Sequence, residues 1–351
     1  MAAHGGKGFF TRGRERWSSL SPRGRTVIVI VLTVAFALGV GAAVGRVAEY
    51  GKVTEALESA DPVWLPVCLL GEVIAYLGYM LAFREAARVG GGPPLTLGLT
   101  ARVVFVAFGA FAAANAAGGL ATDLWALHEA GVGTRESVRR VLGLNTLLYA
   151  VFGAAAWAAA LAALAAGGPP RSVSIPWLVV MSVSFGAAAW FATGGRAARF
   201  ADRRSGGTIA RAFADAVGGL VLFCKLLRHP REHAAGLAGA LLYWGGDLAC
   251  LWAALRAFEI ELPLASLVLV YATGYVANLL PLPAGGAGAV DASIAFALTL
   301  VGVDLAPALL ATFTYRFFTY WLPIVPALFV IPTVPDLRSR LRALATQQAR
   351  A

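Results

Sequence analysis

Six ionisable side chains stand inside or at the edge of long apolar runs: Glu72, Arg102, Asp123, Asp247, Asp291 and Arg316. A charge at the centre of a bilayer costs at least about 2.5–3.5 kcal/mol, so each of these is expected to be paired or to do work. An arginine in that setting holds a phosphate or carboxylate, and the acids hold a cationic group or a proton. The bland use is a buried pair, Arg316 with Asp291 or Asp247, that ties two parts of the chain together. Glu72 falls midway along an apolar run, and Asp247 directly follows Gly245-Gly246. Tyr320 lies one helical turn beyond Arg316 and is a candidate contact, although aromatic residues at such positions serve more often in packing.

Two of the acids follow glycine-rich interruptions. Asn115-Ala-Ala-Gly118-Gly119 precedes Asp123, and Asn278 precedes Pro281-Leu-Pro-Ala-Gly285-Gly286-Ala-Gly288, which precedes Asp291. A break inside lipid leaves backbone N–H and C=O groups without partners, so it must face protein, water or a ligand. The half-helices expected after Gly119 and from about Ala289 would point their positive ends at the breaks, where a phosphate or carboxylate is stabilised. Asp123 and Asp291 also fit the simpler role of capping those half-helices. The four histidines do not assemble a metal set, and Cys68, Cys224 and Cys250 form no C-x-x-C pair. No Ser-His-Asp arrangement, phosphate loop or dinucleotide fingerprint occurs, so no cofactor is expected.

The elements that position these residues follow from composition. Of 351 residues, 59% are hydrophobic and 14% charged, which excludes disorder and a soluble coiled coil. The net charge of +10 sits in a few segments between apolar runs, the pattern of cytoplasmic loops rather than of a nucleic-acid surface. The expectation is an all-α polytopic membrane protein of about six spanning helices plus two re-entrant broken hairpins. Residues 1–25 read as a basic cytoplasmic tail, residues 26–331 as one transmembrane domain, and 332–351 as a second basic tail. Spans are expected near 26–45, 62–83, 141–166, 175–193, 234–255 and 306–331, with a cytoplasmic loop at 195–232. The hairpins are placed at about 98–131 and 264–303. If 98–117 crossed the bilayer, Arg135, Arg139 and Arg140 would lie outside, against the positive-inside rule.

The interrupted stretches echo one another. Gly131-Val132 and Gly302-Val303 follow at similar distances, then Asn145 and Arg316, then Tyr149 and Tyr320. With opposite entry sides this describes an inverted repeat, the architecture in which transporters hold substrate between two broken helices.

The run from Asn278 through Gly285-Gly286 to Asp291, then Gly302-Val303, then Tyr315-Arg316-Phe-Phe-Thr-Tyr320-Trp321, resembles the lysylphosphatidylglycerol synthase transmembrane-region family. That family includes the flippase half of the bacterial multiple peptide resistance factor. The resemblance implies a bacterial inner-membrane protein, both termini cytoplasmic, that moves a phospholipid or another lipid-linked headgroup between leaflets. It departs from the family at Asp291, where Glu is commoner, and at Asn145, where Arg is expected. Membrane lipids are the expected partners, with a separate lipid synthase or glycosyltransferase, or a second copy of the chain, as further candidates. Two other readings stand beside it: a proton-coupled transporter of a small polar solute, and a non-transporting partner of a lipid-carrier enzyme.

Overall fold

The computed structural model describes residues 55, 58, 60–166, 168–192, 217–221, 223–224, 231–279 and 288–348, and these are helical with no strand among them. The span expected at 26–45 and nearly all of the loop at 195–232 lie outside them. The helices are α1 (Leu65–Arg88, after a 3-10 turn at Pro62–Trp64), α2 (Leu97–Glu129), α3 (Thr134–Ala166), α4 (Arg171–Ala192) and α5 (Ala234–Arg256). Then come α6 (Leu264–Tyr275), α7 (Ala289–Leu300), α8 (Leu305–Arg316), α9 (Ile324–Val330) and α10 (Val334–Gln348). Five stretches among the described residues are long and apolar enough to cross a membrane: 62–88, 134–166, 171–191, 234–256 and the run beginning at Leu305. The apolar stretches 97–112, 264–278 and 289–300 are shorter, at 10–17 residues each.

The centre of the protein is the antiparallel pair α1 and α5. Asp61 N–H donates to the Ala257 carbonyl at one end (2.8 Å), while His233 Nδ1 meets Glu85 Oε1 at the other (2.7 Å). Glycines let the backbones touch. A Cβ on Gly71 would stand 2.7 Å from Gly246 O and 2.9 Å from Cys250 N, and one on Gly239 would stand 2.6 Å from both Gly78 O and Ala82 N. Gly246 likewise abuts Ala75 N, and Gly78 abuts Tyr243 N. The contacts are unchanged when Gly71, Ala75, Gly78 and Ala82 exchange places, in order, with Gly239, Tyr243, Gly246 and Cys250. That is the behaviour of two elements related by a pseudo-two-fold axis. Small residues at such a contact are what membrane helix pairs use.

The hairpin that follows each of these helices is built differently. The α2 segment is helical on both sides of Gly118-Gly119, yet its ends return to one place. Arg102 meets Asp336 (2.8 Å) and Glu129 meets Arg338 (2.6 Å), two neighbouring positions of α10. In a straight helix Arg102 and Glu129 would be about 40 Å apart. The chain therefore doubles back, and a Cβ on Gly119 would sit 3.6 Å from the Ala107 carbonyl, twelve residues earlier. The second hairpin is a broken one. Helices α6 and α7, of 12 residues each, pack with Gly274 against the backbone of Ile294, and the chain between them falls outside the described residues after Leu279.

The last span is interrupted as well. Residues Phe317–Trp321 form a π-helical turn directly after Arg316, and Pro323 precedes α9. The segment read as a basic tail is helical over Val334–Gln348, with Leu337 and Leu341 buried and the arginines outward.

Candidate functional site

Arg316 ends α8, where the π-turn begins, and only 7% of it is exposed. Its Nε lies 2.7 Å from Asp291 Oδ1, an ion pair whose angle is too poor for either atom to count as hydrogen-bonded. Its guanidinium rests 4.7 Å from the centre of the Tyr320 ring, on the next turn, so the aromatic face supplies part of what water would. Nη2 is buried without a hydrogen-bond partner among the described residues.

Asp291 sits in the first turn of α7. Its Oδ2 accepts from the Gly288 N–H at 2.8 Å, so it does cap the half-helix, and its other oxygen faces Arg316. Gly288 has φ +84, a left-handed conformation that requires glycine there. Of the two acids expected as partners of Arg316, Asp291 is the one it touches. Asp247, the other candidate partner, is held instead by two tyrosines: it accepts from Tyr271 Oη and, at 3.0 Å, from Tyr315 Oη.

Glu72 is 7% exposed on α1 and within electrostatic reach of both Asp247 and Arg316. Its Oε2 is buried with no hydrogen-bond partner among the described residues. One turn on, Tyr76 stacks on Phe105 (5.4 Å between ring centres) and meets Phe108 edge-on, and Phe108 in turn meets Tyr320. The first arm of the α2 hairpin therefore closes over the arginine from one side and α7 from the other. Asn278 lies in the 3-10 turn Val276–Leu279, which packs on α7, and its Oδ1 is also buried without a partner, as is Thr319 Oγ1 in the π-turn.

The predicted residues therefore divide. Glu72, Asp247, Asp291, Arg316 and Tyr320 are brought together, and Asn278 and Gly288 flank them on the second hairpin. Gly285 and Gly286 lie outside the described residues, as do the side chains around Asn115. Asp123 belongs to a different place. It caps no half-helix, since neither of its oxygens accepts from a backbone N–H among the described residues. It lies 1% exposed on the returning arm, bonded to Tyr79 Oη at 2.7 Å. Arg102 stands apart from the cluster: it is 38% exposed by side chain and paired with Asp336 of α10.

Sequence reasoning missed Tyr271 and Tyr315 as partners of Asp247. Tyr76 and Thr319 were missed too. One signal was present: Tyr76 is one turn past Glu72 and Tyr315 adjoins Arg316, so both share a face or a turn with a buried charge.

A family model described as the lysylphosphatidylglycerol synthase TM region matches residues 28–327. The chain belongs to that family. No curated protein matches it significantly. Within this family member the matched region takes in both hairpins, the α1–α5 pair and every polar residue of the cluster around Arg316.

A cavity of 370 Å³ opens elsewhere, at the basic end, between Arg84, Glu85 and Arg88 of α1 and the Pro94–Thr96 turn. It does not reach the Arg316 cluster, and the buried polar atoms identify the site better than that hollow does.

Proposed function

We propose that the protein moves a phospholipid, or another lipid-linked headgroup, between leaflets. In this reading Arg316 receives the phosphate while the acyl chains stay in the bilayer. The supporting observation is the guanidinium itself: buried, paired with Asp291, and carrying an Nη2 that has no hydrogen-bond partner among the described residues. A buried donor left in that state costs about 1–3 kcal/mol, more for a charged group, and an anionic headgroup removes the cost. Glu72, Asn278 and Thr319 offer acceptors to whatever else the headgroup carries. The pseudo-two-fold contact of α1 with α5 is the joint about which one repeat would rock against the other. The basic end, with Arg88, Arg338, Arg340 and Arg342, is taken as cytoplasmic by the positive-inside rule, and the setting as a bacterial inner membrane.

The test is a fluorescent-lipid assay in proteoliposomes, in which a membrane-impermeant quencher reads headgroups in the outer leaflet. The protein should speed exchange of an anionic phospholipid, and Arg316→Gln should abolish that gain. Proteoliposomes no faster than empty vesicles, across anionic, zwitterionic and aminoacylated lipids, sink the proposal. Proton flux driven by a soluble solute would favour the solute transporter instead, where Glu72 beside Asp247 would carry the proton.

A further inference from the structure

The cluster around Arg316 does not balance in charge. Glu72, Asp247 and Asp291 are each 6–7% exposed, and Arg316, the one cation of the cluster among the described residues, is buried as deeply. Asp291 takes that cation, at 2.7 Å. Two carboxyls are left over. The chain between α6 and α7, residues 280–287, carries no ionisable side chain that could offset them. Ionised together, Glu72 and Asp247 would place two uncompensated negative charges away from water and within electrostatic reach of each other.

The two leftover acids are not alike. Asp247 accepts from Tyr271 of α6 and Tyr315 of α8, and two hydroxyl donors stabilise a carboxylate. Glu72 has no such help at Oε2. The charged groups that act on it are Asp247 of α5, which repels its charge, and Arg316 of α8, already engaged by Asp291 of α7. Its other titratable neighbours are phenols and a thiol: Tyr76 on its own helix, Tyr243 and Cys250 on α5, and Tyr315. Asp123 of α2 lies elsewhere, bonded to Tyr79 two turns further along α1. Arg102 and Glu129 of α2 are tied to α10, and Arg140 of α3 donates to the Ala87 carbonyl, all at the basic end.

A phosphodiester arriving at Arg316 brings one more negative charge and sharpens the imbalance. We infer that Glu72 is a proton-binding site linked to the anion site at Arg316, so that one proton is taken up with each anionic headgroup and crosses with it. While the site stands open to water, an ionised Glu72 is solvated. As the site closes, the carboxylate takes a proton from that water, and it returns the proton to water on opening at the other side. This rests on the reading of Arg316 as the phosphate receiver and adds what would drive the movement. A pH gradient acidic at the end opposite the basic one draws the headgroup toward the basic end.

The test is equilibrium binding to the full chain in detergent. The probe is dihexanoylphosphatidylglycerol, a soluble phosphodiester that does not itself titrate near neutral pH. Calorimetric titrations in buffers of different ionisation enthalpy count the protons taken up. About one proton per headgroup is expected, with affinity falling by up to about tenfold per pH unit as pH rises. Glu72→Gln should take up none and lose that pH dependence. Should Glu72→Gln not fold, infrared difference spectra of the wild-type protein supply a second readout: adding the probe should raise a protonated-carboxyl C=O band that shifts in deuterium oxide. No saturable binding, binding without proton uptake, equal uptake by Glu72→Gln, a sodium requirement in place of the proton, or no protonated-carboxyl band each overturns the inference. Lipid exchange indifferent to an imposed pH gradient overturns it too, and leaves the Proposed function standing. Proton-linked binding with no lipid exchange would count against the Proposed function alone.

Discussion

Gly71 lies against the carbonyl oxygen of Gly246, so near that a methyl on Gly71 would stand 2.7 Å from it. The obstacle is backbone on the partner helix, which cannot swing aside as a side chain can. Gly71→Ala or Gly246→Ala should therefore force α1 and α5 apart and destabilise the protein by about 1–3 kcal/mol, the usual range for overpacking. Gly245 is the control, because a Cβ there meets nothing within 4 Å. Gly245→Ala should leave the thermal unfolding midpoint in detergent within about a degree of wild type, and equal losses at Gly245 and Gly246 would remove the argument.

The ion pair of Arg316 with Asp291 makes a prediction that separates folding from function. Asp291→Asn strands a buried guanidinium, and breaking such a pair from one side costs about 3–5 kcal/mol. Removing both charges, with Arg316→Gln and Asp291→Asn together, should recover most of that stability. The double variant should still move no lipid, since the cation that receives the phosphate is gone. Denaturant unfolding and the exchange assay on the same preparations check this, and full transport by the double variant would contradict the role given to Arg316.

At the basic end Arg338 and then Arg342 hydrogen-bond the Glu129 carboxyl and hold it down at about 2, from an ordinary value of 4.5. The N–O distances are 2.7 Å to Arg338 Nε and 2.6 Å to Arg342 Nε. The folded-state value is the lower one, so the contact contributes fully above 4.5 and is lost as pH falls from there toward 2. Amide hydrogen exchange in residues 334–348 should accelerate across that window. Glu129→Gln should show the fast exchange already at neutral pH.

Much of this fold was legible, and the gaps have physical causes. The second hairpin announced itself because Pro281, Pro283 and the glycines cannot continue a helix in lipid. The first was placed by Arg135, Arg139 and Arg140, and the chain does double back there, although glycine between alanines marks a reversal less sharply than proline does. Asp123 was read as a helix cap, and its carboxyl is instead bonded to Tyr79 of α1. The helix over Val334–Gln348 was hidden by charge, although Leu337, Leu341 and Leu344 recur on one face, as an amphipathic helix requires. The ties of Arg102 to Asp336 and of Glu129 to α10 join residues more than two hundred positions apart, and nothing local encodes them.

The returning path of α2 can be tested without any assumption about function. Gly98 and Gly133 flank the hairpin, and at both a Cβ would meet open space, so cysteines are tolerated there. In a background lacking Cys68, Cys224 and Cys250, Gly98→Cys and Gly133→Cys should react with an impermeant maleimide from the same side of sealed vesicles. Asp304→Cys, at the start of α8, should react from the other side, because α8 begins at the end of the protein that holds Asp61 and Ala257. A helix that simply crossed would separate Gly98 from Gly133 by a bilayer. It would also pull Arg102 away from Asp336 or Glu129 away from Arg338, since α10 cannot reach both faces: at 15 residues it is about 22 Å long against a hydrocarbon core of about 30 Å.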